Sequence, residues 1–294
     1  MAMIVVAIFT TLLALSAPDV SSCEEPVGSE SLLAASSGQV LLIGEGHGTE
    51  QAPEFVESIV CLALSSGESV VLGLEQSAGE QAGLDAYLRS DGGEDARTAL
   101  TVSSRFWNGQ RRDGRSSEAM LDLIEAVRLR RADGLPVDIA AIDLDLYGDA
   151  ADRQLAENDP HNARDRVMAR NLETLRDQAD RVIVLVGNRH ARRRPMEHGD
   201  LVLESIGSLM VDGHSHSVLL ETSGGESWGC RRVDGETECG VHSRTAAFFE
   251  GPPRVIDRAA FLETPLGPVF ANAFDSFVFL GPRTASMPVI VLQQ

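Results

Sequence analysis

The chain has 294 residues, enough for one large core or two small ones. With 43% hydrophobic and 23% charged residues it has the composition of an ordinary globular protein, held together by packing. Its formal charge is -19 and it contains no lysine, which excludes a nucleic-acid binder, because a phosphate backbone needs a basic face.

Residues 3–17 form an apolar run of secretory length, shorter than a bilayer span and closed by the small residues Ala14, Ser16 and Ala17. The run reads as a signal peptide over 1–22. The mature chain, 23–294, is then expected in the periplasm or secreted, as one α/β domain with no transmembrane span. Cys23 raises a lipid anchor, but Val20-Ser21-Ser22-Cys23 lacks the leucine and the alanine or glycine that such a site carries.

Past the leader, short apolar runs alternate with longer amphipathic stretches, the pattern of a parallel-type (mixed) sheet covered by helices. Residues 39–43 read as the first strand and 52–65 as its helix; 69–74, 137–142 and 181–186 read as the next three strands. Runs apolar on both faces belong to strands buried on both sides. A helical insertion, 77–134, separates the second and third strands, too long for a simple loop. It carries a helix over 116–131 and a polar piece over 103–115. Val167, Met168, Leu172 and Leu175 share one face of a helix over 162–179. A helix over 199–210 and a strand over 217–221 follow. Near the end, Asp234-Gly235 suits an antiparallel hairpin turn, with Cys230 and Cys239 placed to bridge the hairpin. That leaves Cys23 and Cys61 as a second disulfide, as expected of an oxidising compartment.

Ligands of parallel sheets sit at the carboxyl ends of the strands. Here those ends are unusually polar: Gly44-Glu45-Gly46-His47-Gly48-Thr49-Glu50, then Glu75-Gln76-Ser77, then Asp143-Leu144-Asp145, then Gly187-Asn188-Arg189-His190. Four strands thus bring a carboxylate or an imidazole to one edge, and Glu45, His47, Glu75 and His190 are the candidate catalytic residues. Three glycines around Glu45 and His47 let the backbone approach a ligand closely. Asp143 and Asp145 equally suit helix caps, Glu50 suits a helix N-terminus, and His161, His198, His214, His216 and His242 read as solvated. Arg111, Arg112 and Arg115 read as surface, whereas Arg189, Arg192, Arg193 and Arg194 adjoin His190 and suit a carboxylate or phosphate of a substrate. A dinucleotide site is excluded, because the glycine loop lacks the G-x-G-x-x-G register and its glutamate would repel a pyrophosphate. No G-x-S-x-G elbow is present.

Together with Gly73-Leu74-Glu75, Arg164-Asp165-Arg166-Val167-Met168-Ala169-Arg170-Asn171-Leu172 and Val186-Gly187-Asn188-Arg189-His190, the first motif resembles the superfamily of erythromycin esterases, haem-binding ChaN-like uptake proteins and TraB-like Tiki proteases. The likeness runs over 39–190. It implies an α/β fold with a shared polar cleft, in which Glu45, His47, Glu75 and His190 occupy the family positions and Arg189, Arg166 and Asp143 contact a substrate. The esterases place one more residue between the first Glu and His. The haem binders put tyrosine on iron, and only Tyr87 and Tyr147 are present here.

Two functions follow as expectations. The first is hydrolysis of an ester, lactone or amide in a small molecule or peptide, with His47 as general base and His190 or an arginine on the oxyanion. Its variant places zinc or manganese among Glu45, His47, Glu75 and His190. The second is a non-catalytic haem binder with His47 or His190 as axial ligand and Phe106 and Trp107 as lid aromatics.

Overall fold

The computed structural model describes residues 23–109, 113–245 and 248–289. The expected leader at 1–22 lies outside the described residues, as do Arg111 and Arg112.

Helix α1 (Ser29–Ala35) leads into strand β1 (Val40–Glu45) and helix α2 (Gln51–Ser65), whose Phe55, Val56, Ile59 and Ala63 recur at helical spacing and are buried. Strand β2 (Val70–Ser77) passes through one 3-10 turn, Ala78–Glu80, into α3 (Gln81–Leu88), α4 (Glu94–Val102), α5 (Arg105–Asn108) and α6 (Glu118–Ala132). These are the helices of the expected insertion. Strand β3 (Val137–Asp143), helices α7 (Ala150–Asn158) and α8 (Ala163–Leu175) and strand β4 (Arg181–Gly187) complete the alternating part. Then come β5 (Met196–His198), β6 (Leu201–Leu203), α9 (Ile206–Leu209) and β7 (Ser215–Glu221). The chain continues through β8 (Gly225–Val233), β9 (Glu236–Arg244), β10 (Arg254–Ile256), α10 (Arg258–Leu262), α11 (Gly267–Phe270) and β11 (Ser276–Phe279).

Seven strands form one sheet in the order β10-β11-β7-β1-β4-β2-β3, parallel throughout except for the antiparallel pair β10 and β11. The sheet is therefore mixed and helix-covered, as the sequence pattern predicts. Side chains alternate across it: Leu41 and Ile43 join one buried cluster with α2 and α6, while Val40 and Leu42 join another with α8, Phe261 and Phe277. Each fully buried Leu, Ile, Val or Phe contributes about 1.5–3 kcal/mol. Two such clusters outweigh the two disulfides, worth about 2–4 kcal/mol each.

The connections after β1 and β2 cross the first face, and those after β3 and β4 cross the second. Because β4 lies between β1 and β2, the loops at their carboxyl ends diverge and open a crevice. At the opposite edge, Arg181 is buried at the start of β4, where it donates to both carboxylate oxygens of Glu68 and to the carbonyls of Leu33 and Ser36. That end of the sheet is tied shut.

The helix expected over 199–210 is not formed as such. Gly199, at φ +61°, reverses the chain so that β5 pairs with β6, and only the last turn, α9, is helical, capped by Ser205 with Ser208. The helix expected over 162–179 ends at Leu175. In the β8–β9 hairpin, Asp234 and Gly235 both take positive φ, 50° and 90°, as a two-residue type I′ turn requires. Cys230 pairs with Cys239 directly across it, and Cys23 bonds to Cys61 of α2. Among the described residues no helix is long and apolar enough to cross a membrane.

Candidate active site

Glu45 is the last residue of β1, buried against the sheet, and His47 follows two residues later in the glycine loop. The Nδ1 nitrogen of His47 donates to Glu45 Oε1 at 2.9 Å, which turns Nε2 toward Glu75. The loop is held from three sides. The Gly48 carbonyl accepts from the Trp228 and Ser286 backbone N–H groups at 2.9 and 3.0 Å. A Cβ on Gly48, whose φ is +80°, would lie 2.0 Å from the Trp228 carbonyl oxygen, and one on Gly114 would lie 2.6 Å from the Gly48 nitrogen. Gly48→Ala is therefore expected to destabilise the fold by about 2–5 kcal/mol, the sum of left-handed strain and overpacking. A variant unfolding at the wild-type urea midpoint would contradict this packing.

Glu75, near the end of β2, is the centre of the site and only 6% exposed. Its Oε1 accepts from Arg115 Nη1 and from Arg164 Nη2, each at 2.7 Å, and its Oε2 accepts from the Gly187 backbone N–H at 2.7 Å. Arg115 is held in turn by Asp113, and Arg164 by both carboxylate oxygens of Asp143. Burial alone would raise the Glu75 pKa. His47, His190, Arg115 and Arg164 reverse that and hold it well below the usual carboxylate range.

Two imidazoles face this carboxylate, one at each oxygen. His47 Nε2 lies 3.9 Å from Oε2, and His190 Nε2 lies 3.6 Å from Oε1. His190 follows β4, and its Nδ1 donates to Oδ1 of Asp165 on α8 at 2.7 Å; Arg189 Nη2 holds the other oxygen of Asp165 at 2.9 Å. Burial pulls the His47 pKa down, but the Glu45 hydrogen bond and the charges of Glu45 and Glu75 outweigh it, so the net shift is upward.

Beside Glu75 lies a cleft of about 660 Å³, inside the range of about 300–1,000 Å³ common for small-molecule sites. Glu75, Arg115, Asp143 and Arg164 line its floor, with Phe106, Leu146 and Tyr147 among its walls. The Arg105 guanidinium lies 3.8 Å over the Tyr147 ring and joins the insertion to the loop after β3.

No protein-family model matches the chain, and no curated protein does. Solved structures do. A Bacillus cereus protein aligns with a TM-score of 0.62 at 11% identity, over 89% of this chain and 92% of its own. The erythromycin esterase EreC, a mutant in its open conformation, aligns with a TM-score of 0.60 at 12% identity, over 90% of this chain and 95% of its own. The fold is shared with an erythromycin esterase. A succinoglycan biosynthesis protein follows with a TM-score of 0.56 at 10% identity, over 88% and 92%.

Of the residues singled out from the sequence, Glu45, His47, Glu75, His190 and Asp143 come together at the crevice. Arg166 does not: it pairs with Glu204 and Asp159 away from the cleft. Arg189 is committed to Asp165. Asp145 accepts from the backbone N–H groups of Tyr147 and Gly148 and acts as a turn cap, while lining the cleft. Trp107 is 1% exposed within the core, so only Phe106 of the two expected lid aromatics reaches the cleft. Arg115, read as surface, and Arg164 and Asp165, present in the third motif but given no role, are the residues the sequence reading missed.

Proposed function

We propose that this protein is a hydrolase of a carboxylic ester, lactone or amide, an outlying relative of the erythromycin esterases that works without a metal. The observation that carries this reading is the Glu75 carboxylate, flanked by two carboxylate-held imidazoles and two guanidinium groups. His47 Nε2 accepts a proton from a water held beside Glu75 Oε2, and the water oxygen bonds to the carbonyl carbon. The negative charge moves to the carbonyl oxygen, where unused N–H groups of Arg164 and Arg115 at the cleft floor receive it. When the intermediate collapses, the bond to the leaving oxygen or nitrogen breaks, and the proton on His47 passes to that atom. The products are an acid and an alcohol or amine.

A divalent cation among Glu45, His47, Glu75 and His190 does not fit the donor set. Both oxygens of Glu75 already accept from N–H groups, two of them on arginines that repel a cation. Haem ligation gains no support either, since both Nε2 atoms face Glu75. The two disulfides support an exported protein, and the leader read over 1–22 agrees with it.

The test is a panel of esters, lactones and amides assayed on the mature chain in chelator, beside His47→Ala. Hydrolysis is expected to survive the chelator and to fall by about 10²–10⁴-fold in the variant. Because the base must be unprotonated and its pKa is shifted upward, kcat/KM should rise with pH and level off above the ordinary histidine value of 6.5. Activity abolished by chelator and restored by zinc would overturn the metal-free mechanism.

A further inference from the structure

We infer that Asp165 is a positioning residue, which locks His190 into the tautomer that bears its proton on Nδ1 and presents Nε2 to Glu75. The inference rests on the hydrolase reading for its kinetic consequence but not for its structural one.

Asp165 is fully buried on α8, and it is not a core residue by composition. A buried carboxylate is costly unless its charge is matched and its oxygens are bonded. Both conditions are met by groups of one loop: His190 Nδ1 on Oδ1 at 2.7 Å, and Arg189 Nη2 on Oδ2 at 2.9 Å. The helix itself is pinned to the sheet, because Asn171 donates to the Ile142 carbonyl of β3 and Met168 and Leu172 are buried in the core. Asp165 is thus a rigid acceptor at a set distance from the imidazole.

The same construction occurs once more in the site. Glu45 holds His47 by Nδ1 at 2.9 Å and leaves its Nε2 facing Oε2 of Glu75, while Asp165 holds His190 by Nδ1 and leaves its Nε2 facing Oε1. A carboxylate on one ring nitrogen sets which of the two nitrogens exchanges a proton. With Nδ1 committed to Asp165, Nε2 is the nitrogen of His190 that faces Glu75. Asn in place of Asp165 keeps the shape but can turn its NH₂ toward the ring, which favours the opposite tautomer and puts the proton on Nε2.

The experiment is ¹⁵N NMR of the imidazole nitrogens on the whole mature chain at neutral pH, wild type beside Asp165→Asn. The wild type is expected to show His190 with its proton on Nδ1, shielded from exchange. The variant is expected to lose that signal while the His47 resonances stay in place. On any ester the wild type hydrolyses, kcat should fall on the order of 10²-fold with KM little changed, because a group beside Glu75 is displaced from its set geometry while the base His47 is kept. A wild-type His190 protonated on Nε2 alone would overturn the inference whether or not the variant folds, and so would unchanged His190 signals in a folded variant. A tautomer switch in a chain that hydrolyses nothing would uphold the positioning role and sink the hydrolase reading.

Discussion

Glu75→Gln is expected to lower stability by about 3–5 kcal/mol, the cost of leaving partly buried guanidinium groups without their counter-charge. For a chain of this size that is a fall of about 10 °C in melting temperature. Glutamine keeps the volume and one carbonyl oxygen, so the loss isolates the charge. It removes the anion that Arg115 and Arg164 share and replaces the oxygen that accepts from Gly187, or the one between the arginines, with a donor. The pH dependence follows from the lowered Glu75 pKa. A depressed carboxylate contributes stability that is fully present above its ordinary value of 4.5 and is lost as pH falls through its folded value. The gap between wild type and variant should therefore stay constant at neutral pH, persist into mild acid and close only in strong acid. Calorimetry across that range decides the matter, and a variant as stable as wild type at pH 7 would remove Glu75 from the centre of the site.

Gly187→Ala is expected to do the reverse, leaving the chain folded at a smaller cost in stability while lowering the activity steeply. A Cβ at this position would lie 2.9 Å from His47 Nε2, 3.3 Å from its Cε1 and 3.5 Å from Glu75 Oε2. Those atoms bound the space assigned to the attacking water. Gly187 is not among the residues with positive φ, so alanine meets no backbone strain there. The imidazole must turn aside, at an overpacking cost of about 1–3 kcal/mol. A displacement of about 1 Å at a reacting group costs on the order of 10²-fold in rate. Urea unfolding and kcat measured on the same preparation separate the two effects. Full activity in a folded Gly187→Ala chain would mean that the water does not sit between His47 and Glu75.

Much of the site's first layer was legible in the chain. Glu45, His47, Glu75, Asp143 and His190 each stand at or just after the carboxyl end of an apolar run, and strand geometry sends those ends to one edge. The hairpin turn was legible for a similar reason, since Asp234-Gly235 can take the two positive φ angles that few pairs tolerate. The misread helix over 199–210 shows the limit of such local signals. Its apolar residues suited a helix, but Gly199 closes a two-strand turn instead.

Arg115, Arg164 and Asp165 carried no such mark. An arginine in a polar loop and an Arg-Asp pair at the start of a helix look the same in sequence whether they face water or a buried carboxylate. Their roles arise from contacts across long separations: 40 residues from Glu75 to Arg115, 89 from Glu75 to Arg164 and 25 from Asp165 to His190. The alternating elements, the polar strand ends and the turn that brings two cysteines opposite each other are all readable along the chain, because each depends on neighbours within a few residues. Which charges meet at Glu75 is settled by the folded arrangement alone. That depends on the placement of β4 between β1 and β2 and of α8 against the sheet, and both are set by packing over the whole core.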